Sequence, residues 1–134
     1  AERFPLWDPV PEGWDQAAVA RAADGIRGIF FGAACGDAAG LATEFLTKAQ
    51  AEAFYQGAPF HPGMAMYSDT HRVGFAPGDW TDDTDHCILV LRSLLATGGA
   101  FSSPDLAARL LDWSHRGFAE LGDESGGGLG KTAK

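Results

Sequence analysis

The chain has 134 residues, of which 46% are hydrophobic, and a formal net charge of −8 with a sequence pI near 4.7. That length suits one domain with a core, and the acidity excludes general binding to nucleic-acid backbones or anionic membranes, which need a basic face. No apolar run approaches the ~18 residues of a membrane span, and the first residues lack the build of a signal peptide, so a soluble cytoplasmic protein is expected.

Residues 1–14 carry Pro5, Pro9 and Pro11 with Phe4, Leu6, Trp7 and Trp14, and read as an extended arm ahead of a domain over 15–134. Asp15 caps a predicted helix in which Val19, Ala23, Ile26, Phe30 and Ala33 recur at helical spacing. Its later part holds Gly25, Gly28, Gly32, Gly36 and Gly40. Each interior glycine costs roughly 0.5–1 kcal/mol relative to alanine, so the repeat predicts a bare face that another helix approaches closely. Cys35 and Cys87 fall inside predicted helices and are expected to be buried free thiols.

Beyond Gly40 the chain turns through Leu41-Ala42-Thr43-Glu44-Phe45-Leu46, and Thr47 with Gln50 forms a capping box for a short helix, Lys48 to Gln56, closed by Gly57. Glu44 thus lies in a connection between helices, flanked by apolar residues. Solvation is the usual fate of such a glutamate, but its place after the glycine-rich helix makes it a candidate working carboxylate. Residues 57–78 have neither helical nor strand period and are predicted to be a long ordered loop, with His61 and His71 as surface or packing residues.

That loop delivers the chain to Gly78-Asp79-Trp80-Thr81-Asp82-Asp83-Thr84-Asp85, followed by the apolar run Cys87-Ile88-Leu89-Val90-Leu91. Burial of the run anchors the acids. Thr81 is a fitting N-cap for a helix from Asp82 to Leu95, and side chains at a cap and its first two helical positions splay around the helix end. Thr81, Asp82 and Asp83 can then aim hard oxygens at one point, a donor set for Mg²⁺, Mn²⁺ or Ca²⁺ rather than zinc. The competing reading is that acids in a first turn answer the helix dipole alone, at roughly 0.3–1 kcal/mol each.

Thr97-Gly98-Gly99 stops that helix, and Ser102 or Ser103 with Pro104 and Asp105 starts another to about Phe118, with Leu106, Leu110, Trp113 and Gly117 on one face and Leu111 beside them. No strand signal competes, so the fold class is all-α, a compact orthogonal helical bundle. The glycine-rich tail superficially suits a phosphate loop, but the motif ending at Thr132 needs glycine where Ser125 stands, and no strand precedes it.

Gly36-Asp37-Ala38-Ala39-Gly40 with Glu44 four residues on, Gly78-Asp79-Trp80-Thr81-Asp82-Asp83-Thr84, and Gly-Leu-Gly-Lys-Thr at 128–132 stand in that order. Together they resemble the amino-terminal part of the ADP-ribosylglycohydrolase family, which includes the dinitrogenase-reductase-activating glycohydrolases and the ADP-ribosyl-acceptor hydrolases. The resemblance runs from about Ala22 onward and implies an all-α fold with two divalent cations, Mg²⁺ or Mn²⁺, at its centre. Thr81, Asp82 and Asp83 resemble the family's first metal ligands, and Glu44 resembles the catalytic acid beside the scissile bond. Asp37 resembles the acid after the helix glycine, a mainly structural position also counted, with Gly128 and Gly130, among the substrate-binding candidates.

The implied function is hydrolytic release of ADP-ribose from a modified protein or a small ADP-ribose conjugate, by cleavage at the distal ribose. The family's remaining ligands come from an aspartate, one residue, an aspartate and a threonine far toward the carboxyl end, a stretch with no counterpart here. The chain is therefore expected to carry the first half of a two-metal site, to need the carboxyl-terminal remainder of the same protein as partner, and to bind metal weakly and catalyse poorly alone. The alternative is a non-catalytic relative, a crystallin-like binding or structural protein.

Overall fold

A computed structural model describes residues 10–59, 61 and 63–127. Among them the chain is all helical: α1 spans Gln16–Gly40, α2 Lys48–Tyr55, α3 Asp82–Ala96 and α4 Ser103–Arg116, with single 3₁₀ turns at Arg72–Gly74 and Ala119–Leu121. Each long helix starts at a side chain that satisfies an otherwise orphaned backbone donor. Asp15 accepts from Ala18 N–H at 2.7 Å, Thr47 and Gln50 form the reciprocal capping box, Thr81 accepts from Asp83 N–H and Ser102 accepts from Asp105 N–H. The short α2 ends on Gln56 in the left-handed conformation, followed by Gly57. No helix among the described residues is long and apolar enough to cross a membrane.

α3 packs on α4 and on α1. The core joins Leu89 of α3 to Trp113 of α4 and to Phe118 just beyond it, with Ile88, Leu106 and Leu110 packed around them. Burying a leucine or phenylalanine side chain contributes about 1.5–3 kcal/mol, so this knot fixes where the N-terminus of α3 points. After α4 the chain folds back over Trp113. Asp123 accepts from Phe118 N–H at 2.8 Å, and Gly126 lies so close to Trp113 that a Cβ there would sit 2.7 Å from its carbonyl oxygen and 2.9 Å from the indole.

Three expectations on packing are corrected. Among the described residues nothing lies within 4 Å of a Cβ built at Gly25, Gly28, Gly32, Gly36 or Gly40, so no second helix closes on the glycines of α1. The same helix has no buried residue, leaving Ile26, Ile29 and Phe31 exposed. Cys35 and Cys87 are free thiols as expected, yet both are exposed, so neither lies on a face that another described element covers. Leu111 also faces outward, since the buried side of α4 is the line through Leu106, Leu110 and Trp113. The part of the aromatic arm at residues 1–9 lies outside the described residues.

Candidate functional site

Asp37, in the last turn of α1, reaches across to the start of α3. Its Oδ1 accepts from the Thr81 hydroxyl at 2.8 Å, and its Oδ2 accepts from Thr81 N–H at 3.0 Å, Thr84 N–H at 3.1 Å and the Thr84 hydroxyl at 2.6 Å. A carboxylate there satisfies orphan donors of the first turn and opposes the positive end of the helix dipole. An ionised carboxylate only accepts, so both threonine hydroxyls donate to it. Thr81 Oγ1 also accepts from Asp83 N–H at 3.3 Å, and this leaves it one lone pair. The clamp thus presets a hydroxyl oxygen as an acceptor beside Asp82 and Asp83. Thr81 and Thr84 are buried, Asp82 is half-buried and Asp83 is exposed.

Beside the clamp an open cleft of about 390 Å³ is lined by Phe75, Asp79, Trp80, Thr81, Asp82 and Asp85, among others. Asp85 lies at its floor. Oδ1 accepts from the Trp80 indole N–H at 2.9 Å and Oδ2 from that of Trp113 at 3.2 Å. Burial holds the Asp85 carboxyl above its ordinary pKa, the two indole donors pull the other way, and the charge of Asp123 adds to the upward push.

Glu44 stands on the turn between α1 and α2, whose base is made of buried Leu41 and Ala42. The Tyr55 hydroxyl donates to Ala42 O at 2.7 Å, and Phe45 takes a positive φ of 57°. Arg72, 3% exposed, is the bolt that holds this turn. Its Nε donates to Leu41 O at 2.9 Å, one terminal nitrogen donates to Glu44 O and the other pairs with Asp69. Asp69 in turn accepts from the N–H groups of His71 at 3.1 Å and Arg72 at 2.9 Å. These donors, Arg72 N–H foremost, together with the Arg72 charge hold the Asp69 carboxyl below the ordinary carboxylate range.

The same turn places His71 Nε2 2.8 Å from Glu44 Oε2. The imidazole lies edge-on to Phe45 with centroids 4.9 Å apart and tilted against Phe75 at 5.8 Å. Phe75 lines the acidic cleft, so one hydrogen bond and one ring contact link Glu44 through His71 to the cleft wall.

The structure therefore joins Asp37 directly to Thr81 and connects Glu44 to the cleft bordered by Thr81 and Asp82; Asp83 contributes its backbone N–H to Thr81 and exposes its side chain. The substrate-binding candidates Gly128 and Gly130 lie outside the described residues. The residues missed from sequence are Asp69, His71 and Arg72. The one local signal was an aspartate two and three residues before His71 and Arg72, the spacing of an Asx turn.

Whether a hard cation fits is decided by the donors. Thr81 Oγ1 with the Asp82 and Asp83 carboxylates is an all-oxygen set suited to Mg²⁺ or Mn²⁺. It is partial, since among the described residues no group of three or more His, Cys, Asp and Glu side chains is arranged to hold a metal. The balance of an octahedral shell would fall to water, substrate hydroxyls or side chains outside the described residues.

Neither a curated protein nor a solved structure matches the chain. The sequence profile of the family described as ADP-ribosylglycohydrolase matches residues 18–134, from the first turn of α1 through the Asp37 clamp, Glu44 and the cleft. The chain belongs to the ADP-ribosylglycohydrolase family.

Proposed function

We propose that this protein hydrolyses the bond between the distal ribose of an ADP-ribosyl group and its acceptor, with Mg²⁺ or Mn²⁺ as the required cation. The observation that carries the reading is the Asp37 clamp, which orients the Thr81 hydroxyl as an acceptor beside Asp82 and Asp83 at the rim of an open cleft. Family membership supports the hydrolase class.

Thr81, Asp82 and Asp83 would hold the cation, and Asp37 would keep the Thr81 proton turned away from it. A bound cation would supply positive charge against which ribose hydroxyls are oriented and water is made more acidic. Cleavage at an anomeric carbon passes through an oxocarbenium-like transition state. Glu44, with Oε2 held by His71, would accept the proton of the attacking water at its other carboxylate oxygen, and its negative charge would favour the cationic sugar. Phe75 and Trp80, which line the cleft, would shield a bound sugar from bulk water. The substrate is an ADP-ribosylated protein or a small ADP-ribose conjugate.

The test is chromatographic assay of free ADP-ribose released from ADP-ribosylated protein, first in the presence of a chelator and then after Mg²⁺ or Mn²⁺ is restored. Release that disappears with chelation and returns with the cation is expected. No release under any condition, even with the carboxyl-terminal remainder of the same protein supplied, would point instead to a binding or structural relative, and release indifferent to chelation would remove the cation from the mechanism.

A further inference from the structure

The function proposed above gives Glu44 a proton to move, and a flexible glutamate on an interhelical turn needs something to fix its carboxylate. Three restraints converge on one neighbour. Asp69 Oδ1 accepts from the backbone N–H of His71 at 3.1 Å and of Arg72 at 2.9 Å, which sets the backbone direction at His71. Buried Arg72 ties the same segment to the carbonyls of Leu41 and Glu44, so the 3₁₀ turn and the Glu44 turn move as one piece. The rings of Phe45 and Phe75 flank the imidazole at 4.9 and 5.8 Å and fix its plane.

The result is an imidazole nitrogen 2.8 Å from one carboxylate oxygen, between residues 27 positions apart in the chain. An exposed histidine and glutamate that meet by chance lack such scaffolding, and a surface pair of that kind contributes little. Here both side chains are about one-third exposed, 31% and 36%, and the ring contacts two phenylalanines.

We propose that His71 is a positioning residue for Glu44. Its Nε2–H donates to Oε2, which fixes the carboxylate rotamer and leaves Oε1 as the oxygen presented to water or substrate. An ionised carboxylate cannot donate, so the imidazole carries the shared proton on Nε2. This rests on the hydrolase reading for its catalytic consequence, while the pairing itself stands on geometry alone.

Two measurements test it. In ¹⁵N-labelled protein, the His71 side-chain resonances should show a protonated Nε2, and Glu44→Gln should shift them; an unchanged His71 signal would overturn the pairing even if the protein released no ADP-ribose. In the hydrolysis assay, misplacement of a reacting group can cost about 10²-fold, so His71→Ala should lower kcat by about 10- to 100-fold with KM within about threefold. His71→Gln sets an amide nitrogen near the place of Nε2 and should restore kcat to within about threefold of the parent, whereas His71→Asn should not. Parent-like kcat in His71→Ala, or Gln and Asn variants that behave alike, would overturn the positioning role. Absence of release by the parent would instead count against the hydrolase reading, and the resonance shift would still decide whether His71 holds Glu44.

Discussion

Asp37 accepts four hydrogen bonds from Thr81 and Thr84, residues 44 and 47 positions further along the chain, and so one side chain of α1 closes the first turn of α3. This contact locks two helices together and also determines which way the Thr81 hydroxyl proton points. Fold and candidate chemistry meet in the same carboxylate.

Replacing Asp37 should therefore do two things. Asp37→Ala leaves two buried threonines and two N–H groups unsatisfied and should cost about 2–4 kcal/mol, since hydrogen bonds to charged groups contribute about 1.5–3 kcal/mol each and are not additive. Urea denaturation measures that loss. Asp37→Asn keeps the size but brings an NH₂ group against donors, and should fall between the parent and Asp37→Ala.

Arg72 is the second structural anchor. Arg72→Ala strips the donors from the Leu41 and Glu44 carbonyls and should destabilise by about 1–3 kcal/mol, the range for an orphaned buried polar group. Arg72→Lys should recover little, because a single ammonium cannot reproduce the fork that reaches Leu41 O, Glu44 O and Asp69 together. Faster hydrogen exchange at the Thr43, Glu44 and Leu46 amides in both variants would localise the damage to the Glu44 turn.

Acid should loosen that same turn through Asp69. Its folded-state pKa lies below the ordinary value, so its ionised form contributes stability that is fully present above the unfolded pKa and lost as pH falls through the folded one. The window opens at about pH 4, the ordinary aspartate value, and extends downward. Asp69→Asn retains a side-chain acceptor for the His71 and Arg72 N–H groups and removes the charge. Thermal melts should therefore show a smaller acid-induced decrease from pH 5 to pH 2.5 for this variant than for the parent.

Gly126 tests the packing of the tail on Trp113. A methyl group there meets the Trp113 carbonyl oxygen at 2.7 Å and the indole at 2.9 Å, neither of which has room to retreat. Gly126→Ala should cost about 1–3 kcal/mol by overpacking. It should also disturb the Trp113 indole N–H signal, because that group donates to Asp85 at the floor of the cleft.

What the sequence makes legible is local. Asp15, the Thr47–Gln50 pair, Thr81 and Ser102 with Pro104 each cap a helix through bonds spanning two or three residues, and such spacing can be read directly. The amphipathic line through Leu106, Leu110 and Trp113 is legible for the same reason. The Asp37 clamp and the Glu44–His71 pair are not, since their partners lie 44 and 27 positions apart and no period announces them. His71 looked bland because its loop has no regular spacing, yet Asp69 and Arg72 make that loop rigid. The glycines of α1 and the two cysteines misled because local spacing says what a helix face can accept, not what covers it.

The proposed hydrolysis requires that the oxygens at the start of α3 grip a hard cation. Titrating Mn²⁺ into the parent and into an Asp82→Asn, Asp83→Asn double variant, with free Mn²⁺ followed by electron paramagnetic resonance, measures this directly. Saturable Mn²⁺ uptake is expected in the parent and should be lost in the double variant at unchanged helical content. Equal uptake by the two proteins, or no uptake by the parent, would contradict it.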